Sequence, residues 1–173
     1  MIAFADQLWK QLELKDITLH INTLGNQTDR QRYRTALVKF LTPLRDQLTP
    51  DEQTRLERNP LRLLDSKSPS VQALLKKAPA IQDYLSPESV QRYDTLKQHL
   101  SDLNIDYQDN PSLVRGLDYY NEAVFEWTTD ALGAQGTLCA GGRYDTLVEQ
   151  LGGSSTPAVG FALGLERTLE LMK

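Results

Sequence analysis

Arg115-Gly-Leu-Asp-Tyr-Tyr-Asn-Glu-Ala-Val-Phe-Glu-Trp-Thr128 is the stretch that decides the reading of this chain. It opens with a guanidinium, a carboxylate and two phenols, then passes into aromatic and β-branched residues, the composition of a strand. A strand is expected over 119–128 and another over 136–140. Residues 129–135, holding Asp130 and Gly133, serve as their hairpin connection. If the first strand begins at Tyr119, the side chains of Tyr119 and Tyr120 point to opposite faces of the sheet.

Upstream, residues 105–108 have the character of a short strand. Residues 17–22, Ile-Thr-Leu-His-Ile-Asn, alternate apolar and polar as a strand packed on one face does. Ala5, Leu8, Trp9 and Leu12 form one face of a helix over 2–14, and Tyr33, Leu37, Phe40 and Leu44 do the same over 28–48. Between 50 and 103 the pattern stays helical, broken by Pro60, Pro69, Pro79 and Pro87. Pro50-Asp51-Glu52 and Ser86-Pro87-Glu88 are helix starts, with proline early and acids in the first turn. Downstream, glycines crowd the chain. A short helix is expected over 144–151, a strand-like run over 158–163 and a helix over 164–171. The predicted fold class is α+β: segments 1–25 and 105–173 build an antiparallel sheet with flanking helices, and an all-helical insertion occupies about 26–104.

The 173 residues suit one or two domains and are enough to bury a real core. No stretch approaches the roughly 18 apolar residues of a membrane span, and the N-terminus lacks the basic start and apolar run of a signal peptide. The net charge of -4 conceals an asymmetry. Residues 28–100 carry 13 Lys and Arg against 9 Asp and Glu (+4), and the remainder carries 6 against 14 (-8). Two readings compete: a module that faces RNA, and helices whose mixed charges are simply solvated. On charge alone the second is favoured. The single cysteine, Cys139, excludes an internal disulfide framework, fits a reducing cytosolic setting, and is expected to be a small buried strand residue. His20 and His99 are isolated, so no metal site is expected.

Three segments carry candidate chemistry. In the first, Arg115 offers a planar fork suited to phosphate or carboxylate oxygens. The competing reading is an ion pair between Arg115 and Asp118 at the surface. In the second, Gly141-Gly-Arg-Tyr-Asp145, two glycines let backbone approach a ligand closely; a plain turn is the alternative. In the third, Gly160-Phe-Ala-Leu-Gly-Leu-Glu-Arg167, an arginine in an apolar helical run calls for an anionic partner, unless it lies on the solvent face.

Together these segments resemble the histidyl-tRNA synthetases. Arg115-Gly-Leu-Asp-Tyr-Tyr120 and Gly141-Gly-Arg-Tyr-Asp145 look like that family's two histidine signatures. The stretch from Pro157 to Arg167 looks like motif 3 of class II synthetases, and Asn59-Pro-Leu-Arg-Leu-Leu-Asp-Ser-Lys67 looks like part of the family's insertion domain. The match covers essentially the whole chain in the family's order. The resemblance implies that Arg115 is catalytic and contacts the α-phosphate of ATP. Tyr119, Tyr120, Tyr144, Gly141 and Gly142 would bind histidine, with Arg143 shaping the same wall, and Arg167 would meet the γ-phosphate. It implies histidine, ATP with Mg2+ and tRNA(His) as partners, no tightly bound cofactor, a homodimer in the full-length enzyme and a cytoplasmic setting without membrane contact. Motifs 1 and 2 and the anticodon-binding domain have no counterpart in these residues, so the expectation is a fragment that is inactive or nearly so by itself. Two other readings remain: a synthetase-like, histidine-binding regulatory subunit of ATP phosphoribosyltransferase, and a free RNA-binding module built on 26–104.

Overall fold

A computed structural model describes residues 1–133 and 136–173; the expected hairpin connection therefore lies partly outside the described residues. Strands β1 (Ile17–Thr23), β3 (Asn121–Thr129), β4 (Thr137–Arg143) and β5 (Val159–Leu163) form antiparallel neighbours. A two-residue strand, β2 (Gln108–Asp109), pairs in parallel with β1, so the order is β2-β1-β3-β4-β5. The α+β class expected from the sequence is the one observed.

Helices cover both faces of this sheet. On one face α1 (Ile2–Gln11) and α5 (Pro87–Asp102) bury Ala5, Trp9, Tyr93 and Leu100 against Leu19, Ile21, Phe125 and Trp127. Cys139 lies in this core, and burial pushes its thiol up to about 11, which makes it inert at neutral pH. On the other face α2 (Gln27–Leu41), α3 (Pro50–Arg58), the tighter turn Pro60–Leu63 and α4 (Pro69–Leu75) gather Tyr33, Leu37, Leu56, Leu63 and Val71 against Val114, Tyr120 and Val124. The segment 26–104 thus divides its helices between the two faces.

The helix starts follow their sequence signals. Thr49 caps α3 in a capping box with Glu52, Asn26 caps α2 in another with Asp29, and Ser86 caps α5 ahead of Pro87. Three expectations are displaced, each for a backbone reason. The helix expected over 28–48 ends at Leu41 and continues as a tighter turn, Thr42–Gln47, because Pro43 removes a donor and crowds the preceding turn. The strand expected over 105–108 starts only at Gln108. The Asn104 and Ile105 amides are spent closing α5 onto Ser101 and Leu100, with Asn104 in the left-handed region at φ 53. The helix expected over 144–151 shrinks to α6 (Leu147–Gln150), since the Tyr144 amide donates to Ala158 and the Asp145 amide to Asn121.

A buried polar knot joins the two faces. Ser89 Oγ lies 2.8 Å from Asp29 Oδ2 and 3.2 Å from Glu122 Oε1, and Ser86 Oγ donates to Asp29 at 3.1 Å. Burial alone pushes the Asp29 carboxyl up, but donors from Ser89, Ser86 and Asn26 outweigh it and hold it below its ordinary range. Glu122 has one buried oxygen without a partner, and burial pushes its carboxyl up. A raised folded value means that Glu122 supports the fold below its unfolded value of about 4.3 and loses that support as pH rises. Glu122→Gln is therefore expected to raise the melting temperature at pH 7 and to leave it unchanged near pH 3.5. A lower melting temperature at pH 7 would contradict this reading.

Candidate active site

The signature segment leaves the helical core at Leu113 and Val114 and reaches β3 through a turn. Arg115 Nη1 lies 3.6 Å from Glu126 Oε1 on β3, and Arg115 Nε is buried without a partner. Asp118 is not the partner of Arg115; it accepts from the Asn59 side chain instead. Glu126 also accepts from Thr137 Oγ1 at 2.6 Å, and the Thr137 carbonyl accepts from Arg167 Nη1 at 2.6 Å. Two arginines from opposite ends of the candidate chemistry thus converge on neighbouring groups of β3 and β4. Arg167, on α7 (Leu165–Leu171), is half-buried rather than on the solvent face. His20, opposite Glu126 in the β1–β3 register, lies 3.1 Å from Thr128 Oγ1 and extends this polar floor.

Beside the floor stand three tyrosines. Because β3 begins at Asn121, Tyr119 and Tyr120 belong to the preceding turn and do not alternate across the sheet. Their rings lie together at 4.6 Å, and Tyr144 meets them edge-on at 5.4 and 5.8 Å. Burial, and then the neighbouring Tyr119, pushes the Tyr120 phenol up to about 12, so it is a neutral donor at physiological pH. The glycines make this packing possible. A Cβ on Gly142 would meet the Ala123 carbonyl at 2.7 Å and the Tyr120 ring at 3.0 Å; one on Gly141 would meet the Gly160 carbonyl at 2.2 Å. Asp145 holds the second signature in place, accepting from Arg143 Nε at 2.6 Å and from the Ala158 amide at 3.1 Å.

Sequence reasoning missed the residues that hold the first signature from outside. Arg30 of α2 donates to the carbonyls of Asp118 at 2.8 Å and Tyr120 at 2.6 Å, and Arg62 donates to that of Gly116. With Asn59 on Asp118, three side chains of the helical segment clasp the loop. No local pattern marks such long-range contacts. Arg30→Ala would leave the two carbonyls unpaired, and the melting curve should show a loss of about 1–3 kcal/mol; an unchanged curve would mean that water replaces the clasp. Gly160 was also missed: a Cβ there would fall 2.1 Å from the Tyr144 hydroxyl.

A cavity of about 680 Å³ lies elsewhere, between α1, α5 and the sheet, and reaches neither Arg115 nor Arg167. Among the described residues no group of three His, Cys, Asp or Glu side chains is placed to hold a metal ion, and no helix is long and apolar enough to cross a membrane.

The chain is 54% identical over 172 residues to a histidine–tRNA ligase from Hydrogenovibrio crunogenus and 55% identical over 173 residues to one from a Cyanothece species. These alignments cover 99% and 100% of the chain but 40% of each relative, so the chain spans about two fifths of their length. The crystal structure of an apo histidyl-tRNA synthetase from S. aureus superposes with a TM-score of 0.76 at 38% identity, over 99% of this chain and 42% of that one. A Bacillus halodurans protein described as an ATP phosphoribosyltransferase regulatory subunit/histidyl-tRNA synthetase shares the fold at 21% identity and a TM-score of 0.59. With its residues 5–168 matched by the model of the histidyl-tRNA synthetases, this chain belongs to that family.

Proposed function

We propose that the chain supplies the arginine-and-tyrosine part of a site that joins histidine to ATP, giving histidyl-adenylate, and then passes the histidyl group to tRNA(His). The observation that carries this is the convergence of Arg115 and Arg167 on Glu126 and Thr137, next to the three tyrosines. Nucleotidyl transfer is mainly positioning and charge stabilisation. Arg115, with a free Nε and a loosely held carboxylate, is ready to exchange Glu126 for the α-phosphate as negative charge grows there. Arg167 is tied to a neutral carbonyl, so its charge is available to the γ-phosphate. Tyr119, Tyr120 and Tyr144 form a wall against which the imidazole packs, with Gly141 and Gly142 setting its depth. Mg2+ enters with the ATP phosphates, and no residue described here is assigned to it. In this reading residues 1–25 and 105–173 are catalytic, 26–104 is inserted between them, the whole enzyme is a cytoplasmic homodimer, and the 173 residues do not complete an adenylation site by themselves.

The test uses a chimera in which this chain replaces the matching residues of the Hydrogenovibrio crunogenus ligase. Exchange of labelled pyrophosphate into ATP should depend on histidine and on no other amino acid. Histidine binding without exchange would favour a regulatory subunit instead, and exchange driven by another amino acid would refute the assignment.

A further inference from the structure

One oxygen on the floor of the proposed site serves two donors. Glu126 Oε1 accepts from the Thr137 hydroxyl at 2.6 Å, and Arg115 Nη1 approaches the same atom at 3.6 Å. The first is a full hydrogen bond. The second is an ion pair stretched well beyond the ~2.8 Å of a charge-assisted bond. Thr137 reaches the oxygen diagonally across the sheet, its register partner on β3 being Thr128. A hydroxyl bonded to the carboxylate draws on its negative charge, and Arg115 is held loosely for that reason. Among the described residues Glu126 is the only carboxylate within ion-pair distance of Arg115; Asp65 lines a cavity with Arg115 but lies farther off. The two paired side chains are 24% and 21% exposed, so salt screens their attraction only in part.

A loosely held arginine suits one task. If Arg115 were free to bind ATP in the ground state, it would tighten substrate and transition state alike and add nothing to kcat. An arginine that stays on a carboxylate until charge grows on the α-phosphate stabilises the transition state selectively. We infer that Glu126 and Thr137 are positioning residues for adenylation. Glu126 keeps Arg115 off the ground-state phosphate, and the Thr137 hydroxyl keeps that hold weak enough to break. These roles rest on the function proposed above; the shared oxygen does not. Arg167 is bound to the Thr137 carbonyl, which a change of side chain leaves in place, so the two arginines can be perturbed separately.

The test is pyrophosphate exchange by the chimera with ATP varied. Glu126→Gln keeps the shape of the side chain and an acceptor for Thr137 but removes the charge. Arg115 then meets ATP already in the ground state, so kcat and the KM for ATP should fall together, each by about threefold to tenfold, with kcat/KM nearly unchanged. A merely structural loss would not lower KM. Thr137→Val removes the hydroxyl and strengthens the hold of Glu126 on Arg115. It should lower kcat by about threefold to tenfold at an unchanged KM for ATP. Thr137→Ser restores the hydroxyl and should recover most of that rate. Because Thr137 acts through Glu126, the double variant should behave as Glu126→Gln alone, without the product of the two losses. If Thr137→Val does not fold by circular dichroism, Thr137→Ala replaces it. An unchanged or raised KM for ATP in Glu126→Gln, or independent losses in the double variant, would overturn the inference, while histidine-dependent exchange by the parent chimera leaves the adenylation reading standing. A parent chimera without exchange overturns that reading, and this inference with it.

Discussion

Arg115→Ala, placed in the chimera, is expected to lower the rate of histidine-dependent pyrophosphate exchange by about 10²–10³-fold, because it removes a preorganised donor aimed at charge that develops in the transition state. The loss should fall on kcat more than on the KM for histidine, since the tyrosine wall is untouched. Arg115→Lys should not restore the rate: an ammonium cannot reproduce the fork that reaches Glu126 through Nη1 while offering Nε elsewhere. The fold should survive the change, as Glu126 keeps its donor from Thr137 Oγ1. A rate within a few-fold of the parent would remove Arg115 from the chemistry.

Gly160→Ala is expected to act through a different side chain. The new Cβ would fall 2.1 Å from the Tyr144 hydroxyl and 3.0 Å from its ring carbon, so the phenol must swing away from Tyr119 and Tyr120. Displacement of a positioning group by an ångström costs up to about 10²-fold, and here the cost should appear as a raised KM for histidine with the KM for ATP nearly unchanged. Gly152→Ala is the control. That residue has open space around a Cβ but a φ of 90°, so it should cost stability and spare histidine recognition. Equal effects of the two changes on histidine KM would mean that Tyr144 does not line the pocket.

How much of this was legible in the sequence follows from the range of the interactions. The alternation in residues 17–22 and the aromatic, β-branched run before Thr128 report local geometry, and both strands formed close to where they were expected. So did the helix starts at Pro50 and Pro87, whose caps are made within three residues. The late starts of α6 and β2 were harder to see, because they depend on which amides are already spent. Within the site, the resemblance named Arg115, Tyr144 and Arg167, but nothing local says that two arginines meet. That meeting depends on the β3–β4 register and on the irregularity between Trp127 and Thr128, which sets Thr137 beside Glu126. Tyr119 and Tyr120 were expected on opposite faces because a strand was read into a turn. The clasp by Arg30, Asn59 and Arg62 joins residues far apart in the chain, and its side chains look like ordinary surface positions in sequence.

The most direct measurement compares histidine-dependent exchange of labelled pyrophosphate into ATP by the isolated 173-residue chain and by the chimera. The chimera is expected to exchange and the isolated chain to show no exchange above background, because Arg115, Arg167 and the tyrosine wall are one part of the proposed site and the remaining contacts come from elsewhere in the enzyme. Exchange by the isolated chain at the chimera's rate would contradict this, and would show that these residues form a complete adenylation centre.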